Sequence, residues 1–221
     1  MTERLADPGP GQHRPADTCT VYLVRHGITK LHRYRGRRDV PLDTQGYEDA
    51  TEAAGRLADV GLSAVYAGPL RRTIATAQII AEKAGVPDVR ILNGLNNLDY
   101  GAWEGMTAEE AAMFDPEAFA RYRSAPADAV CPVGERLSDA QHRISAALQL
   151  IGSRHAGQVV AAVTHAVMVR LVLMELNHIE DDTWRLPLRQ GLVTEVWLRD
   201  GAITVGSAAS DSSTGAQGEV G

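Results

Sequence analysis

Cysteine is scarce in this chain, which has two among its 221 residues. Cys19 and Cys131 provide neither a disulfide framework nor the spacing of a zinc site, and either can serve as a small buried hydrophobe. Such sparse cysteine is typical of proteins that work in a reducing compartment. We therefore expect a cytoplasmic location.

Long apolar runs and an excess of positive charge are also missing. Nowhere do about 18 apolar residues follow one another, so we expect no membrane span. Residues 1–17 contain three prolines and several charges but lack the apolar core of a secretory signal. The net charge of −6 would repel a polyphosphate backbone, so we expect no nucleic-acid partner.

Hydrophobic residues make up 44% of the chain, enough to bury one substantial core. We predict a single α/β domain over residues 18–206, with a polar helical insertion at about 107–132. A disordered N-terminal tail, 1–17, and a flexible C-terminal tail, 207–221, flank this domain.

Short apolar runs alternate with amphipathic segments along the predicted domain. The predicted strands are residues 20–24, 63–66 and 159–163. The predicted helices are residues 45–60, 72–84 and 137–151. A hairpin at 193–205 turns at Asp200-Gly201. This order predicts a three-layer α/β/α sandwich with a mainly parallel central sheet.

Four basic residues follow the predicted strands. Arg25 and His26 come at the end of the first strand, Arg72 begins the helix after the second, and His165 follows the third. The carboxyl ends of parallel strands form one crevice, so these side chains can converge there. Two guanidiniums and an imidazole suit the spread negative charge of a transferring phosphoryl group, which His26 can attack.

Two other roles compete with this hypothesis for the histidines. A lone histidine is more often a satisfied structural residue than a ligand, but two histidines at strand ends change that balance. A metal site is disfavoured because Arg25 beside His26 repels a cation and no carboxylate follows either histidine at ligand spacing. We predict chemistry without a metal or an organic cofactor.

Six short stretches in a fixed order resemble the histidine phosphatase superfamily, in its phosphoglycerate-mutase-like branch, over about residues 20–206. The matching stretches are residues 23–29, 33–36 with 39–42, 66–73, 99–105, 134–135 and 164–165. The resemblance implies a phosphohistidine intermediate on His26. It also implies that Arg25, Arg72 and His165 hold the phosphate. Further phosphate or substrate contacts are implied for Thr29, His32, Arg35 and Gly36.

One position departs from the family pattern. Family members place a glutamate, the general acid for the leaving group, where this chain has Asn97. An amide donates a hydrogen bond but delivers no proton, and general acid catalysis contributes roughly 10²- to 10⁴-fold in rate. Three alternatives stay open: Asp99 supplies the proton, the leaving group needs none, or the chain binds phosphoanions, through Asn97 among others, with weak catalysis.

Arginine is concentrated at positions 33, 35, 37 and 38 of this acidic chain. This arginine loop is either a solvated surface or a rim that attracts a second anionic group of the substrate. We expect hydrolysis of a small phosphorylated metabolite. Phosphoanion binding and other chemistry on an anionic substrate are the alternatives, with phosphomutase activity less favoured, and a homodimer stays open.

Overall fold

A computed structural model describes residues 15–30, 33–176, 184 and 188–206 of the chain. Its strands are β1 (Cys19–Arg25), β2 (Leu62–Ala67), β3 (Val89–Ile91), β4 (Val159–Thr164), β5 (Val193–Arg199) and β6 (Ala202–Val205). Its α-helices are α1 (Thr44–Leu57), α2 (Arg71–Ala84), α3 (Ala108–Phe114), α4 (Pro116–Ser124), α5 (Leu137–Arg154) and α6 (Ala166–Glu175). Residues 1–14 and 207–221, which make up most of the two predicted tails, lie outside the described residues.

The strands form one mixed sheet in the order β3-β2-β4-β1-β5-β6. The pairs β1–β4, β2–β4 and β2–β3 are parallel. At one edge β5 runs antiparallel to β1, and β6 returns beside β5 as the predicted hairpin. The prediction of an α/β fold with a mainly parallel sheet is confirmed.

Helices cover both faces of the sheet, and the strand side chains alternate between two apolar cores. Val24 and Val163 pack on one face with the apolar side chains of α1 and α2. Leu23 and Ala162 point to the other face, into the larger core built by α5 and α6. A period of two along strands buried on both faces explains their nearly continuous apolar sequence.

One predicted boundary, one missed strand and one predicted tail need correction. Helix α1 ends at Leu57, because residues 58–60 already form the turn into Gly61. Strand β3 was not predicted, because a segment of three partly exposed residues is too short to show a hydrophobic pattern. Residues 15–17, assigned above to the disordered tail, form a turn in which Asp17 pairs with Arg199 at 3.3 Å.

The predicted insertion consists of α3 and α4 and packs on the sheet through aromatic rings. Thr107 and Glu110 cap α3 reciprocally. The rings in contact belong to Tyr34, Tyr100, Trp103, Phe119, Tyr122 and Trp184. Phe114, at the end of α3, is 55% exposed. No helix within the described ranges is long and apolar enough to cross a bilayer.

Helix α1 touches the backbone that follows β1. A Cβ on Gly46 would overlap the carbonyl oxygen of Ile28, whereas a Cβ on Gly55, in the same helix, would meet nothing within 4 Å. The lack of a side chain at position 46 therefore lets the helix approach residues 27 and 28 closely.

We expect Gly46→Ala to destabilise the protein by about 1–3 kcal/mol, because the added methyl group forces the two backbones apart. Gly55→Ala is the matched control and should stabilise it by about 0.5–1 kcal/mol through helix propensity. Urea unfolding of both variants measures the difference. Stabilisation by Gly46→Ala would contradict the close approach.

Candidate active site

The carboxyl ends of β1 and β4 bring two histidines together. Parallel register pairs Arg25 with Thr164, so His26 and His165 follow as the next residues on neighbouring strands. The backbone N–H of His26 donates to the Thr164 carbonyl at 3.1 Å, so the two neighbouring segments stay hydrogen-bonded just beyond the last strand pair. The imidazole ring centroids lie 5.0 Å apart with the planes at 67°. The two residues lie side by side, as the strand order predicts.

His26 is oriented with one ring nitrogen free for chemistry. Its Nδ1 lies 2.7 Å from the carbonyl oxygen of Gly27, which is an acceptor, so Nδ1 carries the proton. Nε2 then carries the lone pair. Burial lowers the pKa of His26 well below its usual 6.5, and the charges of Arg72, Arg35 and Arg25 lower it further. The ring is therefore neutral at physiological pH.

The backbone after His26 is held by two helix side chains. The Gly27 N–H donates to Thr76 Oγ1 at 3.3 Å, and the Ile28 N–H donates to Asp49 Oδ2 at 2.9 Å. Neither Thr76 nor Asp49 stands out in the sequence, because each occupies an ordinary helical position. Their role appears only once the helices are packed.

Arg72 enters the site from the first turn of α2 and is completely buried. It donates to the carbonyls of Arg38 at 2.7 Å and Gly36 at 2.8 Å, while its Nε has no hydrogen-bond partner in the described part of the chain. Burial and the neighbouring Arg35 lower the pKa of Arg72 to about 10. The guanidinium thus stays charged at neutral pH, with one buried N–H left for a ligand.

Two further guanidiniums are buried at the same place. Arg25, 3% exposed, donates to the Leu188 carbonyl. Arg35, 5% exposed, donates to Thr29 Oγ1 at 2.7 Å. Thr29 therefore orients Arg35, and three charged arginines surround the histidine pair.

His165 is the least satisfied polar side chain of the site. It is 2% exposed, and neither ring nitrogen has a hydrogen-bond partner among the described residues. Burial lowers its pKa well below 6.5, with Arg72 and His26 as the next causes. Helix α6 begins at the next residue, so the unpaired N–H groups of its first turn add positive potential here.

The carbonyl of Gly36 joins Arg72 to Asn97. Asn97 Nδ2 donates to this carbonyl at 2.9 Å, and Asn97 Oδ1 accepts from the Leu98 N–H at 3.0 Å. These two partners fix which end of the amide is nitrogen. Gly36 has a φ of +50°, and a Cβ there would overlap the carboxylate of Glu104. The Gly36 carbonyl therefore orients Arg72 and Asn97, whereas the sequence predicted a phosphate or substrate contact at Gly36.

Asp99 takes a different place from the one expected of a proton donor. Its carboxylate pairs with Arg37 at 3.2 Å and accepts from the Gly101 N–H at 2.9 Å. It is not among the residues that line the cavity beside the histidines. Asp99 follows Asn97 by two residues, and its carboxylate binds Arg37 instead of lining the cavity.

A helix arginine clamps the segment that carries Asn97. Arg143 donates to the carbonyls of Gly94 at 2.9 Å and Asn96 at 3.0 Å, and it pairs with Glu135 at 3.0 Å. A third bond reaches the Asn97 carbonyl at 3.2 Å. The sequence offered no signal for this role, because a single arginine within an amphipathic helix is typical of solvated surface.

The arginine loop does not form the continuous basic rim considered above. Arg33 pairs with Glu110 at 2.6 Å, and Arg37 pairs with two carboxylates. Arg35 points inward, which leaves Arg38 as the member of the loop whose exposed side chain has no acidic partner among the described residues. His32, the remaining predicted contact, lies outside the described residues.

The histidine pair lies in a cavity of about 240 Å³, its open mouth included. The lining residues are Arg25, His26, Arg35, Asn97, His165, Ala166 and Val167. Within the described part of the chain, this lining contains no carboxylate. The cavity therefore presents positive charge, two neutral imidazoles and one amide, a donor set suited to a phosphate-sized anion.

A larger groove of about 710 Å³ lies near the amino-terminal end of β1, beside the β5–β6 turn. Its cation, Arg199, pairs with Asp17 at 3.3 Å and with Asp200 at 3.5 Å. With its charge already neutralised, this groove does not match the chemistry predicted for the chain.

Known proteins are similar to this chain in sequence and in fold. The chain is 35% identical to Phosphoglycerate mutase-like protein 4 of Arabidopsis thaliana, over 70% of this chain and 69% of that protein. It is 32% identical to Phosphoserine phosphatase 1 of Hydrogenobacter thermophilus, over 71% and 75%. The solved structure of Bacillus stearothermophilus YhfR superposes with a TM-score of 0.77 at 33% identity, over 85% of this chain and 95% of that one.

Some relatives are longer. The chain spans about half (48%) of the bifunctional protein Rv2228c of Mycobacterium tuberculosis. The family model described as the histidine phosphatase superfamily, branch 1, matches residues 21–210, which is most of the chain. This match confirms the resemblance drawn from the motifs: the chain belongs to the histidine phosphatase superfamily.

Proposed function

We propose that this protein is a phosphatase that acts on a small phosphorylated substrate through a phosphohistidine on His26. The observation that carries the proposal is the buried imidazole of His26, which lines a cavity with Arg25 and Arg35 and whose Nδ1 is committed to the Gly27 carbonyl, leaving Nε2 for chemistry. A neutral histidine is a nucleophile, and the surrounding guanidiniums would draw the dianionic phosphoryl group to it. Relatives named as phosphatases support the same activity.

Arginines and His165 bind the phosphoryl group in this mechanism. Arg25 and Arg35 line the cavity, where they can bind the phosphoryl oxygens, and Arg72, buried behind the lining, adds its positive charge to the site. His165 completes the set as a neutral donor. Water then cleaves the phosphohistidine and releases inorganic phosphate.

A second candidate function is phosphoanion binding with little turnover, and the amide of Asn97 favours it. Asp99 is not proposed as the proton donor, because Arg37 and the Gly101 N–H hold its carboxylate. Phosphomutase activity is proposed last, since it requires further contacts to retain the phosphoryl group. The substrate's identity, the cytoplasmic location and the homodimer stay predictions.

Replacing the nucleophile tests the activity directly. We expect His26→Ala to lower kcat/KM for p-nitrophenyl phosphate by at least about 10³-fold, because the covalent route is lost. His142→Ala, which removes an exposed histidine of α5, is the control and should leave kcat/KM unchanged. Undiminished hydrolysis by His26→Ala would refute the proposal.

The lowered histidine pKa values predict an acid-tolerant enzyme. The nucleophile must be neutral, and protonation of His26 inactivates it only as pH falls through its lowered pKa. After correction for the dianionic fraction of p-nitrophenyl phosphate, kcat/KM should stay constant as pH falls through 6.5 and decline well below it. A decline centred near 6.5, the ordinary histidine pKa, would show that His26 is not shielded from protons.

A further inference from the structure

Among the described residues that line the cavity, none is suited to protonating a leaving group. Its described lining includes no carboxylate, and guanidiniums do not release protons near neutral pH. His165 is neutral in the free protein, since burial and Arg72 lower its pKa. It also lies beside the nucleophile, with the ring centroids 5.0 Å apart. In-line displacement puts the departing oxygen on the far side of phosphorus from His26, beyond this ring.

The remaining polar group of the lining is the Asn97 amide. One Nδ2 hydrogen is committed to the Gly36 carbonyl, and Oδ1 is committed to the Leu98 N–H. The second Nδ2 hydrogen has no partner in the described part of the chain. Asn97 is 4% exposed and its segment is clamped by Arg143, so the amide is a fixed donor. It can hydrogen-bond to a departing oxygen but cannot protonate it.

We propose that the substrate is an acyl phosphate or a phosphoric anhydride, whose departing oxygen leaves as a stable anion, rather than an alkyl phosphate. This inference rests on the proposed function, because it requires phosphoryl transfer to His26. Carboxylic acids have a pKa of about 4 and phosphate one of about 6, so both leave without a proton at neutral pH. An alcohol resembles water, with a pKa of about 16, and needs one.

The charge of the site matches such a substrate. Arg25, Arg35 and Arg72 bring three positive charges, and all three lower the pKa of His26. A phosphoryl dianion that loses a neutral alcohol presents two negative charges to this cluster. A phosphoric anhydride with a charged leaving group presents three, and an acyl phosphate presents two. In both, the departing oxygen gains negative charge in the transition state. The third guanidinium therefore compensates charge that a protonated leaving group would not develop.

The bonds balance without an acid. The His26 Nε2 lone pair forms the N–P bond while the P–O bond breaks, and that electron pair leaves with the carboxylate or phosphate oxygen. The Nδ1 proton stays on the ring, shared with the Gly27 carbonyl. Water then forms a P–O bond as the P–N bond breaks, the electron pair returns to Nε2, and both water protons remain on the released dihydrogen phosphate.

The test compares leaving groups in two pairs of equal-sized side chains. The wild type (Asn97) is paired with Asn97→Asp, and Asn97→Gln with Asn97→Glu, so each pair differs only in an acid. The substrates are acetyl phosphate, p-nitrophenyl phosphate, phenyl phosphate and ethyl phosphate, and rates with His26→Ala are subtracted for each. Thermal unfolding checks that each variant is folded.

In the wild type, kcat/KM should fall by at least about 10³-fold from acetyl to ethyl phosphate, because no acid assists the alkoxide. At least one acid variant should raise the ethyl phosphate value about 10²-fold over its amide partner, with little change for acetyl phosphate. Equal wild-type rates for both substrates, an acid that raises neither or both alike, or hydrolysis of p-nitrophenyl phosphate without turnover of acetyl phosphate would overturn the inference. Failure to turn over any of the four substrates would overturn the proposed function. Activity that survives His26→Ala would also overturn the proposed function.

Discussion

Burying like charges together is the constraint on which this structure depends. Two guanidiniums and two imidazoles line a cavity whose described lining has no carboxylate, and the buried guanidinium of Arg72 adds its charge to both imidazoles. Backbone carbonyls and a hydroxyl satisfy part of the hydrogen-bonding capacity, as when Arg72 donates to Gly36 and Arg38. These neutral partners leave the positive charge in place. The imidazoles respond by staying unprotonated, and the site as a whole is prepared for an anion.

Distant parts of the fold hold this cluster against its own repulsion. The parallel register of β1 and β4 sets the histidines side by side, and the approach of α1 to Ile28 fixes the loop after the nucleophile. Helix α2 contributes Arg72, and its Thr76 accepts a hydrogen bond from the backbone of the same loop. Arg143 of α5 holds the segment of Asn97 from the other side. A cation cluster needs such rigid supports, since no mutual attraction keeps its members in position.

The convergence of the central residues follows from the sequence, because position at a strand end and parallel topology are both readable from local patterns. His26, His165 and Arg72 lie together for this reason. The supports are different: Asp49, Thr76 and Arg143 act through tertiary contacts that leave no periodic signal. The arginine loop shows the same limit, since carboxylates far along the chain, such as Glu110 and Glu135, decide which arginines are neutralised. Asp99 likewise lies near Asn97 in sequence, but Arg37 decides where its carboxylate lies.

The central claim, that His26 accepts the phosphoryl group inside this cavity, is tested most directly by trapping the intermediate. The protein is mixed with ³²P-labelled acetyl phosphate, quenched in base within milliseconds to seconds, and digested for mass spectrometry. The account predicts an acid-labile, base-stable phosphoryl group on Nε2 of His26 that forms and decays at least as fast as turnover. Hydrolysis without any phosphoenzyme, or a phosphoryl group on another residue, would contradict it.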